Sequence, residues 1–205
     1  MQKPTLNLEK KLWKAGFLKI CGLDEVGRGP LAGPVVAGAV VIENESQFLD
    51  GVRDSKTMTE KNRVFFCEKI KKISSGWGIG IVENFEIDEL GLSKAIQKAM
   101  ELAIMDLGFK ADYLIADGHI EKIANYPMQT IIDGDSLHYT ISAASVIAKV
   151  TRDDIMKKYS EKYPKYGFEK HVGYGTKVHM EALKKFGPCK IHRKCFKPVA
   201  KFFEK

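Results

Sequence analysis

Two adjacent carboxylates, Asp24 and Glu25, stand just before a Gly-Arg-Gly turn at residues 27–29. Two further acids, Asp117 and Asp135, follow short apolar runs and neighbour glycine. Carboxylates gathered at one edge of a sheet repel one another unless cations lie between them. Their hard oxygen atoms select Mg²⁺ or Mn²⁺, and two such ions can activate a water and stabilise the leaving oxygen of a phosphodiester. The four acids therefore predict a divalent-metal site, although any single Asp-Gly is also typical of an ordinary turn.

Three other side chains lie close to these acids in sequence. Asp133 precedes Asp135 by two residues, and the pattern alone does not decide which of the two is functional. His119 and His138 follow Asp117 and Asp135 closely and could assist proton transfer. We interpret both histidines as partly exposed neighbours without a catalytic role.

The adjacency of Asp24 and Glu25 raises a geometric problem. Successive side chains of a strand point to opposite faces, so both acids can serve one site only if regular strand geometry breaks there. The glycines that follow favour such a break. They would also let the main chain approach a ligand closely.

Alternating strands and helices must position the acids. The segment 75–82 places glycine at every second position, which predicts close packing against that face. The first two apolar runs are close enough in sequence to pair antiparallel across the glycine turn. The whole order predicts an α/β architecture with a mixed sheet flanked by helices. Strands are predicted over residues 18–26, 34–42, 75–82, 111–118 and 128–135.

Helical periodicity and capping residues define the remaining elements. Thr57 and Glu60 form a capping-box pattern, and Ser93 is the expected N-cap of the next helix. Gly187 is expected to end the last predicted helix. Small residues crowd the first turns of the longest helix, which predicts close approach to other backbone. Helices are predicted over residues 55–73, 92–108, 136–163 and 177–187.

Charge is divided unevenly along the 205 residues. Residues 1–156 carry 19 Lys and Arg against 22 Asp and Glu, net −3, whereas residues 157–205 carry 14 against 4, net +10. A basic segment indicates attraction to a polyanion, most commonly nucleic acid; a lysine-rich solvated face is the alternative. The length predicts one domain over residues 1–205, with an α/β core at 1–156 and a basic helical extension at 157–205.

Localisation and cysteine usage give a simple expectation. The first residues lack the apolar core of a signal peptide, and the run 34–42 is too short to cross a bilayer. We expect a cytoplasmic protein with free thiols and no membrane contact. Cys189, His192 and Cys195 recur at every third residue, but a structural zinc site needs four ligands and the sequence holds no second cluster.

The chain resembles the ribonuclease HII family in six segments that occur in the family's order and spacing. They are "GLDEVGRGPLAGPVVAGAVV", "DSK", "ADG", "GDSLHYTISAASVIAKVTRD", "YPKYGFEKHVGYGT" and "FGPCKIHRKCFKPV". The resemblance implies a ribonuclease H-like fold with a five-stranded mixed sheet and a helical C-terminal extension. It also implies a metal-dependent endonuclease that cuts the RNA strand of RNA–DNA hybrids. Such an enzyme would also cut 5′ to ribonucleotides embedded in duplex DNA, leaving 3′-OH and 5′-phosphate ends, in primer removal and ribonucleotide excision.

The resemblance also implies which acids are catalytic. Asp24, Glu25, Asp117 and Asp135 would hold two Mn²⁺ or Mg²⁺ ions. Asp135 is favoured over Asp133 because the family's acid stands in Gly-Asp-Ser.

Further residues would bind the substrate by the same resemblance. Gly27, Arg28 and Gly29 would contact the 2′-hydroxyl and the backbone at the ribonucleotide, and Tyr174 would pack on the sugar of the next deoxynucleotide. Lys56 would lie near the substrate backbone. An enzyme that distinguishes RNA from DNA must contact the 2′-hydroxyl, and binding through the basic extension should weaken steeply with salt.

Three alternatives to this interpretation each disagree with a feature of the sequence. Ribonuclease HIII has the same fold and metals, but its first motif is similar to Asp-Glu-Gly-Gly, whereas this chain has Asp-Glu-Val-Gly-Arg-Gly. Ribonuclease HIII also carries an extra N-terminal domain. A catalytically silent hybrid-binding module predicts that a metal ligand is missing, and all four are present. A nuclease acting on DNA alone leaves the Gly-Arg-Gly turn and Tyr174 without a role.

Nucleic acid is the expected partner of a monomeric chain. Phe202 and Phe203 are faintly similar to a sliding-clamp peptide, but the leading Gln of such peptides is missing. We favour a helix end or a frayed tail for this aromatic pair.

Overall fold

A computed structural model describes residues 3–204; Met1, Gln2 and Lys205, and with them both ends of the predicted domain, lie outside the described residues. Five strands form one sheet in the order β3-β2-β1-β4-β5. β2 pairs antiparallel with β1 and β3, whereas β4 pairs parallel with β1 and β5. The predicted mixed sheet is therefore confirmed. The strands are β1 Ile20–Val26, β2 Val35–Ile42, β3 Gly76–Val82, β4 Tyr113–Asp117 and β5 Met128–Ile131.

Helices cover both faces of the sheet. α4 packs on one face and α6 on the other, with α1 and α2 beside α6, and α7 to α9 belong to the basic extension. Within residues 3–204, no helix has the length and apolar character needed to span a membrane. The helices are α1 Asn7–Lys14, α2 Glu60–Ile73, α3 Asn84–Leu90, α4 Leu92–Asp106, α5 Gly134–Leu137, α6 Tyr139–Lys162, α7 Phe168–His171, α8 Lys177–Phe186 and α9 Lys197–Ala200.

Two predicted helix starts are wrong. The N-cap of α2 is Thr59, whose hydroxyl accepts a hydrogen bond from the N–H of Asn62 at 3.3 Å. Thr57 instead belongs to a short 3-10 helix, where its hydroxyl donates to the carbonyl of Asp54 at 2.8 Å. Ser93 lies inside α4, because that helix begins directly after Gly91 at the joint with α3.

Glycines bring two helices into contact with the backbone of the sheet. A Cβ at Gly78 or Gly80 on β3 would overlap the backbone of α4, which confirms the predicted glycine face. Gly22 on β1 and Gly38 on β2 stand in the same relation to the backbone of α6. The first turns of α6 therefore lie directly against β1, which carries Asp24, and against β2.

The strand geometry at the two adjacent acids is regular. Asp24 and Glu25 belong to a continuous ladder with β2 that reaches Val26, and the turn begins only at Gly27, with φ +98°. The expected break is therefore wrong. The parallel ladder with β4 ends one residue before Asp24, which leaves that edge of β1 open. Side chains from both faces can reach an open edge, so both acids line the same cleft without a break in the strand.

The basic extension packs on the turn that follows β1. The N–H of Leu31 donates to the carbonyl of Gly173 at 2.8 Å, and the N–H of Gly33 donates to that of Ile191 at 2.9 Å. The N–H of Arg193 returns a bond of 2.9 Å to the carbonyl of Leu31. The turn is therefore held by backbone bonds to the extension.

Candidate active site

A cleft of about 420 Å³ opens where β1 and β4 end. Asp135 lies beside the cleft. Its Oδ2 is 3.5 Å from Nζ of Lys56, a residue that lines the cleft. The cleft brings together eight of the nine predicted site residues: Asp24, Glu25, Gly27, Arg28, Gly29, Lys56, Asp117 and Tyr174.

Asp24 is the most deeply buried of the four acids. It is 4% exposed, and one of its carboxylate oxygens accepts the N–H of Glu25 at 2.7 Å. Burial raises the pKa of Asp24 well above its ordinary value, and the negative charges of Glu25, Asp117 and Asp135 raise it further. A hydrogen bond from Ser145 on α6 acts in the opposite direction. The charge of Asp24 is thus unfavourable unless a cation is supplied.

Glu25 and Asp117 are each held by a nearby donor. Oε1 of Glu25 accepts a bond of 2.9 Å from Nη1 of Arg28, and Oδ1 of Asp117 accepts the N–H of Gly134 at 2.6 Å. Burial raises the pKa of Glu25; Arg28 opposes this shift, and Asp117 adds to it.

Asp135 and Asp133 occupy different environments. Asp135 is 5% exposed, and its pKa is raised by burial and by Asp54, against the opposing charge of Lys56. Asp133 is exposed, adopts φ +55° and precedes the short helix α5. The structure therefore places Asp135, and not Asp133, among the other acids.

The glycine turn and Tyr174 form the other wall of the cleft. A Cβ at Gly27 would lie 2.7 Å from the carbonyl oxygen of Pro34, so this position needs glycine for space as well as for its positive φ. Tyr174 is 43% exposed, and its ring lies 3.5 Å from the place where a Cβ on Gly29 would stand. The ring of Tyr174 and the turn at Gly29 therefore lie side by side in the cleft.

The donor set fits hard divalent cations, although the ligands are not yet arranged around one. Within residues 3–204, no three Asp, Glu, His or Cys side chains converge closely enough to hold an ion as they stand. Arg28 and Lys56 neutralise Glu25 and Asp135 instead. All four candidate ligands are carboxylates, and their burial together favours the arrival of positive charge. Ion binding would require Glu25 and Asp135 to exchange these cationic partners.

Four other residues of the cleft were missed by the sequence interpretation. The hydroxyl oxygens of Ser55 and Ser145 lie 2.9 Å apart, both buried beside Asp24. Arg63 and Lys149 also line the cleft, and both pair with Asp153 on α6, at 3.7 Å and 2.6 Å. The signal that could have found the serines was the "DSK" motif and the run of small residues that begins α6.

The two histidines near the acids and the Cys189, His192 and Cys195 pattern lie outside this cleft. His119 is exposed, and His138 is the N-terminal flank of α6, where its Nδ1 is buried without a hydrogen-bond partner within residues 3–204. Sγ of Cys189 lies 3.2 Å from Nδ1 of His192, whereas Cys195 is exposed. None of these side chains lines the cleft.

Sequence comparison finds relatives that all belong to one family. Residues 21–199 match the family model for ribonuclease HII. The curated ribonuclease HII of Acholeplasma laidlawii is 46% identical over 98% of this chain and 98% of its own length. That of Bacillus subtilis is 50% identical over 91% of this chain and 72% of its own length.

Structural comparison agrees. The ribonuclease H2 of Pyrococcus horikoshii superposes with a TM-score of 0.71 at 28% identity, covering 89% of this chain and 96% of that one. A ribonuclease HII of Archaeoglobus fulgidus, solved in a complex with PCNA, gives 0.74 at 23% identity over 87% and 95% of the two chains. A Bst-RNase HIII in complex with Mn²⁺ gives 0.66 at 18% identity over 91% and 69%. The last two support the fold alone.

These similarities confirm the expected fold and the expected enzyme class, an endonuclease of the ribonuclease H type. The family depends on divalent metals and acts on nucleic acid. The division into a core at 1–156 and an extension at 157–205 stays a prediction. By its matching residues and its close relatives, this chain belongs to the ribonuclease HII family.

Proposed function

We propose that the cleft hydrolyses the RNA strand of RNA–DNA hybrids and cuts 5′ to ribonucleotides embedded in duplex DNA. Asp24, Glu25, Asp117 and Asp135 would hold two Mn²⁺ or Mg²⁺ ions for this reaction. The observation that carries the assignment is the burial of Asp24 beside three other carboxylates, which together raise its pKa. Membership of the family supports the reaction itself.

The chemistry divides between the ions and the chain. The four carboxylates would hold two divalent ions, and these would supply an activated water for attack on the phosphodiester and stabilisation of the departing 3′-oxygen, giving 3′-OH and 5′-phosphate ends. When Glu25 turns to an ion, its partner Arg28 becomes free to bind a phosphate of the substrate. Lys56, whose side chain is 74% exposed, can turn from Asp135 to the substrate backbone in the same way.

Recognition of the ribonucleotide would fall to the turn and the tyrosine. RNA differs from DNA at the 2′-hydroxyl, so selectivity requires a donor or acceptor within hydrogen-bond distance of it. Gly27, Arg28 and Gly29 line the cleft and offer main-chain groups there. The exposed ring of Tyr174 beside Gly29 would pack on the sugar of the next deoxynucleotide.

Cleavage of a duplex with one ribonucleotide tests this proposal. The native protein and Asp24→Asn would be incubated with Mg²⁺ or Mn²⁺, beside an all-DNA duplex of the same sequence. We expect metal-dependent cutting 5′ to the ribonucleotide, lost in Asp24→Asn and absent on all-DNA. A native protein that binds the duplex but cuts nothing with either metal would favour the hybrid-binding module.

Partners beyond the substrate are a separate part of the proposal. We expect a monomer that acts in primer removal and ribonucleotide excision. A sliding clamp is a further candidate, because Phe202 and Phe203 follow α9 and are 43% and 50% exposed. Clamp contact would compete with their own chain, since Phe202 lies in a groove beside Leu183 and Lys194 lies over the ring of Phe203. Clamp binding by the native chain and by Phe202→Ala, measured by calorimetry, tests this contact.

A further inference from the structure

A buried arginine of the extension binds the glycine turn from beneath. Arg193 is 0% exposed, and burial, together with the neighbouring charge of Arg152, lowers its pKa to about 9. Within residues 3–204, all of its hydrogen-bond acceptors are neutral carbonyls of a single turn. They are the carbonyls of Gly27 at 2.7 Å, Gly33 at 2.9 Å, Arg28 at 3.1 Å and Pro34 at 3.1 Å.

Burying a positive charge without a carboxylate costs free energy. The geometry of the peptide groups in the turn shows what the buried guanidinium contributes in return. In a trans peptide the carbonyl and the following N–H point in opposite directions, and no peptide within residues 3–204 is cis. The carbonyls of Gly27 and Arg28 point to Arg193, so the N–H groups of Arg28 and Gly29 point away from it.

Those two N–H groups belong to residues that line the cleft. Within residues 3–204, neither donates to a protein acceptor. They are therefore free main-chain donors beside the acids, in a turn whose orientation is fixed from the opposite side by Arg193.

We propose that Arg193 is a positioning residue for ribonucleotide recognition, which holds the turn so that the N–H groups of Arg28 and Gly29 meet the 2′-hydroxyl and an adjacent phosphate oxygen. The inference rests on the proposed function of the cleft. It gives the extension a role in selectivity in addition to its role in charge. The buried arginine comes from the extension, and the turn that it orients comes from the core.

Lysine cannot replace arginine in this role. The guanidinium group is planar and directs its five N–H donors in fixed directions, whereas an ammonium group is a compact point charge. Arg193→Lys keeps the positive charge but cannot span carbonyls on both sides of the turn. We therefore expect it to loosen the Gly27 and Arg28 peptides while the surrounding charge is unchanged.

Arg152 provides a matched control. It is also 0% exposed, and among the described residues it bonds only carbonyls, those of Ala32 at 3.2 Å, Pro34 at 3.0 Å and Val172 at 3.0 Å. None of these carbonyls precedes the N–H of Arg28 or Gly29. Arg152→Lys should therefore lower stability as Arg193→Lys does, without altering the donors that face the ribose.

The test measures preference for ribose in the Asp24→Asn background with Mg²⁺, where binding is separated from cleavage. Dissociation constants are compared for a duplex with one ribonucleotide and an all-DNA duplex of the same sequence. Adding Arg193→Lys should reduce the preference by about ten-fold, the effect of one lost hydrogen bond. Affinity for the all-DNA duplex should change by less than about three-fold, and adding Arg152→Lys should keep the preference.

Three results would overturn the inference. They are an unchanged preference with Arg193→Lys, an equal loss with Arg152→Lys, and an Asp24→Asn parent with no preference for ribose. If Arg193→Lys does not fold, amide exchange in the Asp24→Asn protein decides: the Arg28 and Gly29 N–H groups should be protected by the ribonucleotide duplex and not by the all-DNA duplex, and equal protection by both would overturn the inference. Failure of the proposed function is recognised separately, as a native protein that cuts neither duplex with either metal.

Discussion

The cleft of the core and the interior of the extension handle buried polar groups in opposite ways. In the core, Asp24 and Asp135 are buried near one another, and burial raises the pKa of each. In the extension, the buried polar groups include His179 and His192, whose pKa values are lowered by burial, and Arg193, which hydrogen-bonds main-chain carbonyls. The cleft is therefore organised to receive cations, whereas His179, His192 and Arg193 of the extension already hydrogen-bond within the chain.

Two histidines of the extension, His179 and His192, form a continuous chain of hydrogen bonds. The N–H of Cys189 donates to Nδ1 of His192 at 2.9 Å, which assigns the His192 proton to Nε2. That proton is donated to Nε2 of His179 at 3.0 Å, so Nδ1 of His179 donates to the carbonyl of Tyr174 at 2.9 Å. Both rings must be neutral for this chain to exist. The extension thus supports Tyr174 of the cleft through uncharged groups.

The largest effect that separates the two regions should come from the acids. Asp135→Asn is expected to lower kcat by at least about 100-fold, because a lost metal ligand removes several kcal/mol of transition-state stabilisation. Asp133→Asn is the matched control, since Asp133 is exposed two residues away. Single-turnover cleavage of a duplex with one ribonucleotide measures both. Equal losses in the two variants would contradict the assignment of Asp135 to the cleft.

Acid should destabilise the extension. Burial and the neighbouring His179 lower the pKa of His192 to about 4, from an ordinary value of 6.5. A histidine with a lowered folded pKa contributes stability above pH 6.5 that is lost as the pH falls towards 4. We expect His192 to contribute up to about 3 kcal/mol to this loss.

Urea unfolding at pH 7 and pH 4.5 measures the acid effect. The acids of the cleft act in the opposite direction, because their raised pKa values favour the protonated form, so the native protein alone gives only a net change. Comparison with His192→Gln isolates the histidine. The variant should lose less stability between the two pH values than the native protein does; an equal loss would show that His192 does not cause the acid effect.

The sequence predicted most of the fold because its signals are local. Apolar runs placed all five strands, and the alternating glycines of 75–82 predicted the close packing of α4. The start of α2 was missed because Thr57 and Thr59 both precede an acceptable helical pattern. The 3-10 turn around Asp54 decides between them, because the hydroxyl of Thr57 donates to the carbonyl of Asp54 and Thr59 becomes the N-cap.

The site was predicted less completely, because its geometry depends on contacts that are distant in sequence. The open edge of β1 is set by the residue where β4 stops pairing, so no local pattern predicts that two adjacent acids on a regular strand line one cleft. Arg193 and the carbonyl of Gly27 are 166 residues apart. No spacing rule reveals such a contact, and an arginine among basic residues is interpreted as surface charge.

Removing one buried charge should stabilise the metal-free core while it abolishes activity. Burial and like charges raise the pKa of Asp24, so its ionised form lowers stability as the pH rises through that folded pKa. At pH 7, Asp24→Asn should raise the free energy of unfolding by about 1–2 kcal/mol. Asp154→Asn, at a side chain that is 57% exposed, should change it little.

Thermal unfolding with and without Mn²⁺ completes this test. An ion that binds only the folded protein raises Tm, so the native protein should gain more from Mn²⁺ than Asp24→Asn does. If Asp24→Asn is less stable than the native protein without metal, the ionised Asp24 does not lower the stability of the metal-free core through repulsion from the other acids.

The smallest expected effect concerns the exposed lysines of the extension. Lys177 begins α8 three residues after Tyr174 and is exposed, so it can contact a phosphate beside the cleft. Each phosphate contact releases counterions, so Lys177→Gln should reduce the slope of log affinity against log salt by about 1. Lys94→Gln on α4, exposed and away from the cleft, should leave the slope unchanged. Equal slopes for both variants would mean that the substrate backbone lies on the core and not beside Lys177. The extension would then contribute to binding through Arg193 and Tyr174 and not through its net charge.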